Sequence, residues 1–325
     1  MKSLFRFALL SALLTPLTAP AQGYPSRPVH ILVGTPAGGP LDVMARGTAQ
    51  VLGQRLAQPF VVENRVGADS MIAGEACVRS APDGHTLCAS DSLGIVLNPV
   101  IRAKMPYDPM RDLAPVMFYG YGVNGILVHP SVPANSLQEL FELVKAKPGS
   151  ISWGSYGLAS TANLYIEYLR NAKGIAFQNV PYKAASLAFP AMLAGEIQVS
   201  FFNLGQGAAQ VKAGKARALA VILGKRTALL PDVPTFKEAG LDIAIITTFG
   251  LYAPAATPRD IVQRLNLELA AGLFNNAEMK QKFLTGQGLE TDPPAGGPPE
   301  AFAAFLRAER DNFANIVKVT KIKVE

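Results

Sequence analysis

The stretch HILVGTPAGGPLD, residues 30–42, decides how this chain is read. Its apolar run, His30-Ile31-Leu32-Val33, has the length and the glycine-bounded end of a buried strand. Gly38, Gly39, Pro40 and Asp42 follow, and from Leu41 to about Leu56 the apolar residues recur at helical spacing. A strand stops and a helix starts here, with glycines that let the backbone approach a ligand. A helix N-terminus carries unpaired N–H groups and about half a positive charge, so the turn is a potential anion seat. Asp42, with Arg46 at i+4, reads as a cap or loop brace, because a free carboxylate there would repel an anion.

Outward from that turn, strand-like and helix-like runs alternate along the chain, which argues an α/β protein with largely parallel sheets. Two extended passages break the alternation, one near 116–128 (within VMFYGYGVNGILVHP) and one near 240–254 (ending in TTFGLYAP). They read as two crossings between lobes, giving one lobe from residues 23–122 and 243–325 and a second from 123–242. Ligands of such proteins sit between the lobes, at strand C-termini. Two more strand-to-helix turns share the small-residue character of the first: Ser155-Tyr156-Gly157-Leu158-Ala159-Ser160-Thr161 and Tyr182-Lys183-Ala184-Ala185-Ser186. Each alone is commonly a plain connection; three in one chain without a catalytic set favour binding over turnover.

Composition narrows the class. The 325 residues are 49% hydrophobic and 17% charged, with a formal charge of +6. No Lys/Arg cluster alternates with aromatics, which argues against nucleic acid as a partner. The first residues, MKSLFRFALLSALLTPLTAPAQG, show a basic start, an apolar core from Phe7 to Leu14 and Ala19-Pro20-Ala21, the three parts of a secretory signal over 1–22 cleaved near Ala21. The apolar run is about half the ~20 residues a membrane span needs. For Cys77 and Cys88 a bridge and two buried free thiols both fit an exported protein.

Catalytic and metal patterns are weak. His30, His85 and His129 are scattered, with no second ligand at i+3 or i+4, so neither a metal nor a cofactor is expected. Trp153-Gly154-Ser155-Tyr156-Gly157 approaches a nucleophile elbow but has Trp where the first Gly belongs. An exported hydrolase using Ser155 or Ser160 is the competing enzyme reading. Gly120-Tyr121-Gly122-Val123-Asn124-Gly125 matches a dinucleotide fingerprint as a string, yet a strand follows it where a helix is required.

The mature chain resembles the Bug-type periplasmic receptors of tripartite tricarboxylate transporters. The likeness runs from about Tyr24 to the C-terminus through YPSRPVHILV, VVENRVGA, APDGHTL, PYDPMRDLAPV, VPYKAA, AGKARALAV, LPDVPTFKEAGL and GLYAPAATP. It implies a type II periplasmic binding fold, two α/β lobes with a ligand cleft and a two-segment hinge. It also implies a monomeric receptor, not an enzyme, that delivers a small carboxylate to integral membrane transporter subunits; a sensor subunit would use the same binding chemistry. The site implied comprises Thr35, Ala37, Gly38 and Gly39; Ser90, Asp91 and Ser92; Ser155, Leu158, Ser160 and Thr161; Ala184 and Ala185; and Phe202 and Asn203.

Several positions depart from the family pattern. Thr35 and Pro40 replace an aromatic and a hydroxyl around the first glycines, and Ala184-Ala185 replace Gly-Ser. Phe202 stands in place of an aspartate, and Asp91 is an extra acid. With Leu41, Leu158, Ala185 and Phe202, the cleft is expected to be more apolar, favouring an aromatic or longer-chain carboxylate over aspartate or citrate.

Overall fold

The computed structural model describes residues 23–157, 159–243 and 245–321; the expected signal segment 1–22 and Leu158 lie outside them. Two mixed sheets organise the chain. The first has the order β11-β4-β10-β3-β1-β2, and the second β7-β6-β8-β5-β9. In the first sheet are β1 (Val29–Val33), β2 (Phe60–Asn64), β3 (Thr86–Asp91), β4 (Leu113–Gly122), β10 (Thr248–Pro254) and β11 (Leu289–Glu290). The second holds β5 (Asn124–Val128), β6 (Ser152–Ser155), β7 (Gln178–Pro181), β8 (Val199–Asn203) and β9 (Arg217–Val221).

The expectation of largely parallel sheets needs correction. The pairs β1–β2, β1–β3, β6–β7 and β6–β8 are parallel, but β10 runs antiparallel to β3 and β4, and β5 antiparallel to β8 and β9. The chain leaves one sheet along β4 and returns along β10, so these neighbours must point in opposite directions. Their fully buried sequences read as extended runs whichever way they pair: every residue of β5 and of β10 is buried.

Helices α1 (Pro40–Leu56), α2 (Met71–Val78), α3 (Asn98–Ile101), α4 (Pro109–Asp112), α9 (Arg259–Leu269) and α10 (Ala277–Phe283) accompany the first sheet. Helices α5 (Leu137–Ala146), α6 (Thr161–Lys173), α7 (Ala185–Leu193) and α8 (Leu204–Lys212) accompany the second. In α1, Leu41, Met44, Ala45, Thr48, Val51, Leu52 and Leu56 are buried, a helical stripe laid on the sheet. Pro40 opens this helix, where its missing N–H costs nothing, and Ala57 closes it in the left-handed region.

The last helix, α11 (Pro299–Thr320), packs on both halves. Phe302 stacks on Phe118 of β4, while the Asn171 amide of α6 donates to the Thr320 carbonyl at 2.7 Å. One apolar core therefore runs from Leu32 and Phe118 through Phe302 and Phe313 to Trp153 and Tyr165. Cys77 and Cys88 are joined as a disulfide that ties α2 to β3, with Cα atoms 6.0 Å apart, which resolves the open alternative.

Candidate functional site

Loops from both sheets enclose a cavity of about 600 Å³. From the first lobe come the β1–α1 turn (Gly34 to Leu41), the β2–α2 loop (Val66 to Ser70), Asp91 and Leu93 after β3, and Thr247 and Phe249 at the start of β10. From the second come Asn124, the β6–α6 turn (Tyr156, Ala159, Ser160), the β7–α7 turn (Lys183 to Ser186), and Phe201, Phe202, Asn203 and Gln206. The volume is in the usual range of small-molecule sites, ~300–1,000 Å³.

The β1–α1 turn is held by one buried carboxylate. Asp42, only 2% exposed, accepts from the Gly38 amide at 3.0 Å, from Arg46 at 2.9 and 3.0 Å, and from Asn64 Nδ2 at 2.9 Å. Asn64 also donates to the Thr35 carbonyl at 3.0 Å, which closes the brace. Burial pushes the Asp42 pKa up, but the hydrogen bonds from Arg46, Gly38 and Asn64 outweigh it and hold the group below the usual carboxylate value. Its charge is thus spent on the loop and is not presented to the cavity. Gly38 has φ +84°, a left-handed conformation that favours glycine, and Gly39 is the N-cap of α1. The Thr35 hydroxyl is buried beside the cavity with no hydrogen-bond partner among the described residues.

Facing this turn, α7 begins at Ala184, an N-cap whose side chain cannot satisfy the first amides. Ser160 also lines the cavity, but its hydroxyl serves its own turn: it accepts from the Asn163 amide at 3.3 Å and donates to the Gly157 carbonyl at 2.7 Å. Asn203 likewise caps α8, accepting from the Gly205 amide at 2.8 Å, and reaches the Gly288 carbonyl at 3.3 Å. Phe202 stacks on Phe189 with ring centroids 4.0 Å apart.

Of the residues expected from sequence, the cavity brings together Thr35, Ala37, Gly38, Gly39, Asp91, Ser160, Ala184, Ala185, Phe202 and Asn203. Four others do not line it. Ser92 accepts from the Thr248 amide at 3.1 Å, and the Ser90 hydroxyl lies 3.5 Å from the Asp91 carbonyl. Ser155 donates to Asn179 Oδ1 at 2.7 Å, and Thr161 meets Thr247 hydroxyl to hydroxyl at 3.2 Å. Leu158 is not among the described residues.

The sequence reading omitted the Val66–Ser70 loop, Asn124, Gln206, Thr247 and Phe249 as site residues. In that loop Ala68, Asp69 and Ser70 all adopt positive φ (47°, 51° and 69°), a bend that no glycine or proline at those three positions announces. Gly67 and the polar residues around it were the only local sign.

Two acids and one base bear on the cavity's charge. Asp69 is paired with Arg102, while Lys183 enters from the opposite lobe. Asp91 accepts from the Gly94 amide at 3.0 Å; burial, then the nearby Asp69, raises its pKa. Burial, with Asp91 adding to it, also raises the Tyr156 phenol. Among the described residues no histidine lines the cavity, and no group of three or more His, Cys, Asp or Glu is placed to hold a metal. No described helix is long and apolar enough to cross a membrane.

A family model described as the tripartite tricarboxylate transporter family receptor matches residues 44–304. BugT of Bordetella pertussis is 31% identical over 94% of this chain and 93% of its own length. Two solved structures from Rhodopseudomonas palustris share the architecture. Rpa4515 with adipate has a TM-score of 0.83 at 29% identity, covering 92% of this chain and 99% of that one. MatC with bound malate has a TM-score of 0.81 at 26% identity, covering 90% and 100%.

Proposed function

We propose, because this chain belongs to the tripartite tricarboxylate transporter family of receptors, that it captures a small carboxylate in the periplasm and delivers it to the membrane subunits of such a transporter. It is a binding protein and not an enzyme. The observation that carries the reading is the meeting of two helix starts, α1 and α7, from opposite lobes on one cavity. Backbone amides and the positive ends of two helices there suit a carboxylate. That relatives hold adipate and malate in the same architecture supports the ligand class.

An aromatic or longer-chain carboxylate fits this cavity better than a compact polyacid. Leu41, Tyr156, Phe201, Phe202 and Phe249 give it apolar walls, and burying apolar surface contributes about 25 cal/mol per Å². The lobes, 23–122 with 243–325 and 123–242, close on the ligand because it touches both, so its differential affinity sets the closed population. The receptor acts as a monomer. A thermal-shift screen over carboxylates followed by calorimetry tests the assignment, since a ligand that binds the native state raises the melting temperature. Stabilisation by aromatic acids or by unbranched mono- and dicarboxylates of about six or more carbons is expected; stabilisation by citrate alone contradicts the chain-length reading, and no response to any carboxylate contradicts the receptor reading.

A further inference from the structure

We infer that the ligand carries a protonated amine as well as a carboxylate, and that Asp91 receives it; this deepens the carboxylate-receptor reading and rests on it. Three carboxylates lie at or beside the cavity, and two are already matched. Asp42 is paired with Arg46, and Asp69 with Arg102. Asp91 has backbone amide donors, from Gly94, Leu93 and its own residue, and no ion pair among the described residues.

Its surroundings are those of an ammonium pocket. Asp91 and Phe249 are directly opposed in the antiparallel β3–β10 ladder, so their side chains leave the same face of the sheet, and both line the cavity. Tyr156 lines the same cavity from the other lobe, and the Asp91 charge adds to burial in raising its phenol. A carboxylate flanked by aromatic rings attracts a cation both by charge and through the rings' negative faces. An amine-free acid would set a second anion near Asp91, a buried charge that is costly unless it takes up a proton, whereas an ammonium group would match it directly.

The carboxylate seat is close by. β1 and β3 are adjacent parallel strands with Val33 opposite Ala89, so the turn leading to Gly38 and Gly39 leaves the sheet beside the segment that ends at Asp91. One zwitterionic ligand therefore spans an amide seat and an acid that belong to neighbouring loops of the same lobe, with its apolar body against the aromatic wall.

Calorimetry on the full mature chain tests this with matched ligands: hexanoate, adipate and 6-aminohexanoate, and benzoate beside 4-(aminomethyl)benzoate. The aminated member of the better-bound series should bind about tenfold or more tighter than its amine-free partners, the scale of a charge-assisted hydrogen bond. Asp91→Asn, which removes the charge that both attracts the amine and penalises an amine-free acid, should bring the aminated and amine-free members of each series to within about threefold of one another. Circular dichroism and melting of the variant establish that it is folded, and Asp91→Glu, which restores the charge, should recover part of the preference. Tighter binding of hexanoate, adipate or benzoate than of the amines overturns the inference and leaves the carboxylate receptor standing. Failure of every acid, aminated or not, to bind overturns both.

Discussion

The Gly38 amide donates to the Asp42 carboxylate at 3.0 Å, from four residues upstream, and so fixes the curvature of the turn that opens onto the cavity. The same carboxylate takes both arms of Arg46 and the Asn64 side chain. A residue that never faces the ligand thus determines where the backbone amides of the first lobe point. Asp42→Ala leaves the Gly38 amide without its acceptor and the Asn64 amide with the Thr35 carbonyl alone, and should destabilise the fold by ~1–3 kcal/mol. Urea denaturation measures that cost, and calorimetry should show a parallel loss of affinity. A variant with wild-type affinity would show that the brace is dispensable.

Gly39 and Ser160 separate crowding of the cavity from damage to a cap. Gly39 has φ −77°, and an added Cβ would meet only the Pro36 carbonyl, at 3.6 Å. Gly39→Leu should therefore fold, losing about 1 kcal/mol from a poorer α1 N-cap, and bind far more weakly than that loss alone explains, because its side chain occupies ligand space. Ser160→Ala should instead cost about 1 kcal/mol through the lost α6 cap. Unchanged affinity in Gly39→Leu would remove that turn from the site.

The Cys77–Cys88 disulfide joins the helix that follows the Val66–Ser70 loop to the strand that ends at Asp91. Serine at both positions should lower stability by about 2–4 kcal/mol, the usual contribution of a short closed loop. Because both tethered elements reach the cavity, ligand affinity should fall as well. Equal stability with and without the bridge, in matched denaturant titrations, would contradict this.

Glu309 gives a pH signature independent of the ligand. Burial on α11 pushes its pKa from 4.5 up to about 7. A carboxyl whose folded value is raised binds its proton more tightly in the native state, so its stabilising contribution is complete below pH 4.5 and is lost as pH rises toward 7. Glu309→Gln should flatten the wild-type decline in melting temperature across that window. An unaltered pH profile would show that Glu309 titrates normally.

Local chemistry made the first half of the site legible. Gly38, Gly39 and Pro40, between an apolar run and a helical stripe, mark the β1–α1 turn without any long-range information. Ala184-Ala185 mark the start of α7 in the same way. Asp42 as a brace followed from its place in the first helical turn beside Arg46. The hydroxyls were harder to place, since Ser155 and Thr161 sit next to the right turns yet spend themselves on Asn179 and Thr247. Only tertiary structure decides which partner a serine meets.

Phe249 and Asn124 reach the cavity through register, because the crossing strands β10 and β5 pair antiparallel with neighbours on both sides. No local spacing encodes that pairing, and for the same reason the largely parallel sheets expected from the alternation are mixed, with parallel pairs only at β1–β2, β1–β3, β6–β7 and β6–β8 among the described residues. The role of α11 was likewise hidden. Its apolar stripe shows that it packs, but not that it reaches α6 across the lobe boundary through Asn171 and Thr320.

A crystal structure of the protein with its tightest-binding carboxylate tests the central claim most directly. The account predicts one ligand between the lobes, its carboxylate oxygens within hydrogen-bonding distance of amides at the start of α1 or α7 and its body against Phe202 and Phe249. A ligand held outside this cavity, or a carboxylate that touches neither helix start, would contradict it.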